Sequence, residues 1–253
     1  MIIRKTPHEI RLMRIAGNHL ARVTEELKAA CRPGATTNDL DRLGDRLIRD
    51  RGARPGFLGY GGYKKSICVS INEVAVHGIP SNRKIKEGDL VSLDLGLVRD
   101  GFWADMGCTV LVGDGPPEAA RLKQVTDECL DLAIAAAQPG GRLGDIGAAV
   151  QAHAERAGFS VIRQFVGHGI GRDMHEDPQV PNFGTAGTGP ELKPGMTLAI
   201  EPMINLGGPD VVIAEDGWTV RTADGRLSSY REHTVAITEE GPLILTVPDP
   251  ALD

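Results

Sequence analysis

"SLDLGLVRDGFWADM", residues 92–106, decides the reading of the fold, because it sets two aspartates into apolar strands on either side of a turn. Asp94 lies within Leu90-Val91-Ser92-Leu93-Asp94-Leu95, and Asp105 follows Phe102-Trp103-Ala104. Arg99-Asp100-Gly101 between them is a turn signal, so residues 90–98 are expected to fold back on 102–112 as a hairpin. Asp94 and Asp105 stand at nearly equal distances from that turn. The hairpin is therefore expected to bring them level, within one residue of register. Like charges set opposite one another destabilise a sheet, and buried carboxylates need a partner. A cation is the most economical partner.

Outward from the hairpin, the chain repeats itself. Thr6-Pro7-His8-Glu9 predicts a helix start, with Thr6 as N-cap and Glu9 completing a capping box. Ile10, Met13, Ala16, Leu20, Val23 and Leu27 then recur near the helical period, up to Arg32-Pro33-Gly34. A second helix is expected over about residues 37–51. A matching pair follows at about 117–137, ending near Gln138-Pro139-Gly140, and from about 143 to 158. Pro33-Gly34 and Pro139-Gly140, Asp39-Leu40 and Asp145-Ile146, and Gly52 and Gly158 all share an offset of 106 residues. Lys86-Glu87-Gly88 to Asp94 aligns with Lys193-Pro194-Gly195 to Glu201 at an offset of 107. The expected architecture is an α+β fold of two pseudosymmetric halves, about 6–112 and 117–246. Helices would pack on a mainly antiparallel sheet in a single domain over residues 1–253.

The second half supplies its own carboxylates. Glu201 ends the strand Met196 to Ile200, and Glu232 leads into Val235-Ala236-Ile237. Asp216-Gly217 and Asp224-Gly225 mark turns of an inserted hairpin region between them. Pseudosymmetry would bring Asp94, Asp105, Glu201 and Glu232 to one centre. His168, between Gly167 and Gly169, would add a nitrogen. Four carboxylates and an imidazole suit two divalent first-row cations better than one structural zinc. Such a pair can hold a hydroxide at neutral pH and polarise a carbonyl. Singly, each residue has an ordinary explanation as strand end, surface ion pair or turn cap; it is their joint placement that points to a site. These residues alone do not say which carboxylate would bridge the metals. Tyr60, Tyr63, Cys68 and Trp218 could line an apolar pocket, or simply pack the core.

Composition narrows the class. The chain has 253 residues, 41% of them hydrophobic, and a net charge of −6. It can bury a sizeable core, and nothing in it resembles a groove for sequence-specific nucleic-acid binding. No apolar stretch reaches the roughly 18 residues of a membrane span, and the start lacks an export signal. Cys31, Cys68, Cys108 and Cys129 show no CxxC spacing. A cytoplasmic location with free thiols is expected. Gly59-Tyr60-Gly61-Gly62 and Gly167-His168-Gly169-Ile170-Gly171 lack the features of a nucleotide-binding loop.

Several stretches together carry a family resemblance. Ser66-Ile67-Cys68-Val69-Ser70-Ile71-Asn72-Glu73-Val74-Ala75-Val76-His77-Gly78-Ile79-Pro80 resembles a signature of the type I methionine aminopeptidases. So do Gly167 to Gly171, His175-Glu176-Asp177-Pro178, Ile200-Glu201-Pro202-Met203 and Glu232-His233-Thr234. The resemblance runs from Thr6 to Thr246 and implies the pita-bread fold. It implies removal of the initiator methionine from nascent proteins when the second residue is small. It also implies two divalent cations (Co, Mn, Fe or Zn) on Asp94, Asp105, His168, Glu201 and Glu232, bridged by Asp105 and Glu232. The nucleophile would be a hydroxide held between the metals, with Glu201 handling its proton. His175 would stabilise the tetrahedral intermediate and His77 would contact the substrate. Tyr60, Tyr63, Cys68 and Trp218 would form the methionine pocket. The expected partners are peptides with an N-terminal methionine and nascent polypeptides. Ribosome docking is compatible with that role, and nothing demands more than a monomer. The chain departs from the family at Phe57, where a second cysteine is common, and at Met174 and Arg231, where aromatics are common. Enzymes that cleave X-Pro bonds share the catalytic half but usually carry an extra N-terminal domain.

Overall fold

Local rules start the helices. In the computed structural model, which describes residues 1–252, helix α1 (Pro7–Ala30) begins at Thr6. The Thr6 Oγ1 accepts from the Glu9 backbone N–H, and Glu9 accepts from the Thr6 N–H in return. Helix α2 (Thr37–Asp50) follows with the same device at Thr36 and Asp39. Then come β1 (Arg54–Pro55), β2 (Cys68–Ile71), β3 (Val74–Val76), β4 (Leu90–Arg99) and β5 (Phe102–Leu111). The second half opens with α3 (Pro117–Ala136) and α4 (Leu143–Arg156). It continues through β6 (Ser160–Val161), β7 (Gly167–Gly169), β8 (Glu176–Val180), β9 (Thr197–Ile200) and β10 (Met203–Asn205). It closes with β11 (Val211–Ile213), β12 (Val220–Thr222), β13 (Ser228–Tyr230), β14 (Glu232–Thr238) and β15 (Gly241–Ile244).

The main sheet runs β1-β4-β5-β14-β9-β7-β8, with β2 also on β4 and β15 also on β14. All of its described pairings are antiparallel. The order is symmetric about the β5·β14 pair: β4 flanks β5 as β9 flanks β14, and β2 flanks β4 as β7 flanks β9. The offset seen in the sequence has a physical counterpart. Thr36 bridges Lys84, and Arg142 bridges Glu191. The Asp39 carboxylate accepts the Thr36 N–H at 2.8 Å, and that of Asp145 accepts the Arg142 N–H at 2.7 Å.

The period of two along each strand decides which side chains face the helices. Val91, Leu93, Leu95 and Leu97 of β4 and Ala104, Met106 and Cys108 of β5 pack with α1 and α2 in one buried cluster. Leu198 and Ile200 of β9 and Val235 and Ile237 of β14 pack with α3 and α4 in another. Asp94, Asp105, Glu232 and the residue after β9, Glu201, hold the alternate positions and face away from the helices. The carboxylates of these apolar strands are thus kept out of the layer that packs on the helices.

The hairpin forms as expected, with one correction. Arg99 pairs Phe102, which leaves a two-residue loop of Asp100 (φ 51) and Gly101 (φ 79). Both signs are positive, as a type I′ turn requires. In that register Asp94 lies opposite Gly107, and Asp105 opposite Gly96. The two aspartates are therefore not level. They are diagonal neighbours on one face, two residues apart along the strands. Two three-stranded sheets, β13-β10-β6 and β11-β12-β3, sit beside the main sheet. The turns at Asp216-Gly217 and Asp224-Gly225 lie in that region, with φ 75 and 71 at the glycines. No helix among the described residues is long and apolar enough to cross a membrane.

Candidate metal centre and adjoining pocket

The five residues singled out from the sequence converge on the helix-free face of the sheet. Ligand atoms of Asp105, His168 and Glu232 all lie within 4.8 Å of one another, and all three residues are buried. The Nε2 of His168 is 4.0 Å from Asp105 Oδ2 and 3.7 Å from Glu201 Oε1. Asp94 borders the same cluster and also lines the adjoining cavity.

Electrostatics says the cluster is incomplete on its own. Burial, and then the charge of Asp105, pushes the Asp94 carboxyl well above the usual range. Burial lifts Asp105 to about 7, against the pull of the Met106 N–H. Glu201 is raised by burial and then by the charges of Asp105 and Asp94. Glu232 is raised by burial and then by Asp105, Glu201 and Asp94. Four acids crowded out of water repel one another's ionised forms. Glu232 Oε1 is buried with no hydrogen-bond partner, a costly position unless a cation takes it. Burial, with His175 nearby, lowers His168 to about 4 and so keeps it neutral. Its Nδ1–H donates to the Gly169 carbonyl at 2.8 Å, which leaves the Nε2 lone pair facing the carboxylates. That is the tautomer of a metal-ligating histidine held by a backbone acceptor. The donor set fits hard divalent cations.

Beside the cluster lies a cavity of about 130 Å³ lined by Phe57, Tyr60, Tyr63, Cys68, His77, Asp94, Met174, His175 and Trp218. The four residues expected to form an apolar pocket are all present in its wall. Tyr63 and Trp218 pack at 4.9 Å between ring centroids. Two of the three departures also face this space: Phe57 presents its ring and Met174 a thioether. Arg231 does not. Its guanidinium reaches Asp127 on α3 at 3.5 Å, away from the cavity. His175 stacks near His168 at 4.3 Å between centroids, and its Nδ1 meets the Tyr60 hydroxyl at 2.6 Å. His77 follows β3 with φ 58, an uncommon backbone for a side chain of its size. Burial, then the nearby His175, lowers its pKa to about 4.

The structure adds residues that the sequence reading passed over. Tyr230 donates its hydroxyl to Glu232 Oε2. The two are separated by two residues in near-continuous extended chain and so share a face; that spacing was the available signal. The Thr234 hydroxyl donates to the Asp105 carbonyl at 2.8 Å and accepts from the Asp105 N–H at 3.0 Å, which locks β14 to β5 beside the cluster. Asn182 donates to the Glu201 carbonyl at 2.9 Å. All four cysteines are free and buried.

A family model described as "Metallopeptidase family M24" matches residues 11–239, and the chain belongs to that family. Within it, the chain is 48% identical over 246 residues to methionine aminopeptidase 1 of Bacillus subtilis, covering 97% of this chain and 99% of that one. The crystal structure of a methionine aminopeptidase from Thermotoga maritima superposes with a TM-score of 0.96. It is 47% identical and matches 98% of this chain and 100% of its own. A prolidase from Pyrococcus furiosus shares the fold at a TM-score of 0.77 and 22% identity. There 98% of this chain covers only 66% of the prolidase.

Proposed function

We propose that this chain is a metalloaminopeptidase that removes the N-terminal methionine from nascent proteins in the cytoplasm when the second residue is small, with the whole chain acting as one catalytic domain. The observation that carries this reading is the junction of two environments in one concave site. A crowded, partner-seeking acid cluster on one side meets an aromatic and thioether-lined cavity on the other. The relatives named above support the same activity.

Asp94, Asp105, His168, Glu201 and Glu232 would hold two divalent cations, drawn from Mn, Fe, Co or Zn according to availability. Asp105 and Glu232, on the central strands β5 and β14, would hold the cations between Asp94 on one side and Glu201 and His168 on the other. Such cations, when bound, lower the pKa of a coordinated water and polarise a carbonyl. The protein's own groups do the rest. The cavity takes an unbranched apolar side chain between Tyr63, Trp218, Tyr60 and Cys68, where the Met174 sulfur adds a polarizable contact. Glu201, whose Oε1 lies 3.7 Å from His168 Nε2, holds and passes on a proton. His175, kept neutral by burial, donates from Nε2 while the Tyr60 hydroxyl occupies Nδ1. A donor aimed at developing negative charge is worth about 10²–10³ in rate. His77, near His175 in the cavity lining, contacts the substrate. All of these groups come from one chain, which supports action as a monomer, and nascent chains at the ribosome are the substrate class.

The test is direct. Purified protein supplied with Mn(II), Co(II), Fe(II) or Zn(II) should release methionine from Met-Ala-Ser and leave Met-Lys-Ser intact, because a close pocket past the scissile bond rejects a large second residue. No cleavage of the first peptide with any of these metals would sink the reading.

A further inference from the structure

Lys5 stands outside the site as described so far, yet its side chain is turned inward. Its backbone N–H donates to the Gly195 carbonyl at 2.6 Å, and the Arg4 side chain beside it donates to the Pro194 carbonyl. These contacts pin the N-terminal arm to the turn before β9. The Lys5 ammonium then pairs with Glu176, and the two side chains are 3% and 4% exposed. The other oxygen of Glu176 accepts the Arg172 N–H at 2.9 Å and the Asp173 N–H at 3.4 Å. Gly171 closes the cage. A Cβ there would lie 2.4 Å from Lys5 Cε and 2.6 Å from Glu176 Oε1. The Gly171 carbonyl is tied to the Trp103 N–H of β5 at 2.8 Å.

The segment wrapped around this ion pair, residues 171–176, carries Met174 and His175 into the cavity. It has no helix and no ladder of its own before Glu176. Its shape depends on what Glu176 accepts, and Glu176 is the chain neighbour of His175. A buried ion pair is a poor way to gain stability, because desolvation offsets its attraction. Its use here fits a demand for geometry.

We propose that Lys5 is a positioning residue: by holding Glu176, it fixes the 171–176 loop and so places His175 against the substrate. The inference rests on the role given to His175 above. Small displacements of such a group matter, since about 1 Å can cost 10²-fold in rate.

The experiment is a double-mutant cycle on the metal-loaded enzyme with Met-Ala-Ser, joined to amide hydrogen exchange on the metal-free protein. Lys5→Met should lower kcat about tenfold or more in the wild-type background and less than about twofold in the His175→Ala background, with bound metal unchanged. Exchange at the Arg172 and Asp173 amides should quicken while β4, β5 and β14 keep their protection. Lys5→Met/Glu176→Met replaces the pair by apolar side chains of similar size. It carries the test if the single variant does not fold, and it should show the same loss of kcat. Equal fold-losses in both backgrounds, or a folded double variant with wild-type kcat and exchange, would overturn the positioning role alone. His175→Ala with wild-type kcat would overturn the role of His175, and this inference with it.

Discussion

Gly107 is where the two halves of the site depend on a missing side chain. It lies opposite Asp94 on one strand and opposite Glu232 on the other. The ring of Tyr230 rests on its bare backbone, and a Cβ at Gly107 would fall 2.1 Å from Tyr230 Cε1 and 2.8 Å from Cδ1 and Cζ. Ordinary contact begins near 3.4 Å, so Gly107→Ala must move that ring by 3.4 − 2.1, about 1.3 Å. Tyr230 is buried, and its N–H is bonded to Thr109 at 3.0 Å, so the strain has no easy outlet. Overpacking of this kind costs about 1–3 kcal/mol. For a chain of this size, 2 kcal/mol is a fall of roughly 4–8 °C in Tm. A shift of that size also breaks the hydroxyl's bond to Glu232, and losing such an outer partner weakens metal binding about 10–100-fold. Tyr230→Phe, which removes the hydroxyl without crowding, should weaken binding without the overpacking loss in Tm. Calorimetric titration with Mn(II) and a thermal melt of the metal-free protein measure the two effects separately. Gly107→Ala with a Tm within 1 °C of wild type and unaltered metal affinity would refute the reasoning.

Three further predictions address the site itself. Asp94→Ala and His168→Ala should each lose bound metal in elemental analysis and lose peptide cleavage with it. His175→Ala should retain full metal content yet lose about 10²–10³ in kcat, since it removes a donor and no ligand; a matching loss of metal would assign His175 a different role. Stability of the metal-free protein should depend on pH in a defined direction. The four acids hold protons more tightly folded than unfolded. Their contribution is therefore greatest below about pH 4, and it is lost as pH rises through the folded value of about 7 for Asp105. Urea unfolding of chelator-treated protein should give a lower midpoint at pH 7.5 than at pH 5, and added Mn(II) should remove the difference. A midpoint that rises over that interval without metal would contradict the crowding of these carboxylates.

Much of the site was legible because it follows from short-range rules applied twice. Thr6 and Glu9 announce a helix start through contacts three residues apart. The offset of 106–107 residues then pairs Asp94 with Glu201 without any knowledge of the sheet. The hairpin register was the first point of difference. Counted from Asp100, Asp94 lies six residues away and Asp105 five, level to within one residue, whereas the loop is only Asp100-Gly101 and pairs Asp94 with Gly107, two residues from Asp105. A separation of two keeps Asp94 and Asp105 on one face; a separation of one would have turned Asp105 towards α1. Only the two-residue spacing from Glu232 marks Tyr230 in the sequence, and Arg231 between them points the other way, to Asp127. Lys5 and Glu176 are 171 residues apart, and no local pattern relates them. Contacts of that kind are set by how the N-terminal arm closes over the second half, which only the folded chain displays.

We propose Asp94, Asp105, His168, Glu201 and Glu232 as one dimetal centre serving the adjoining cavity. Metal stoichiometry measured alongside Met-Ala-Ser turnover, as divalent cation is titrated into the chelator-treated protein, tests it most directly. Turnover should rise with occupancy and binding should saturate at two cations per chain, both abolished by Asp94→Ala. Full turnover of metal-free protein, or saturation with no cation bound at these residues, would contradict it.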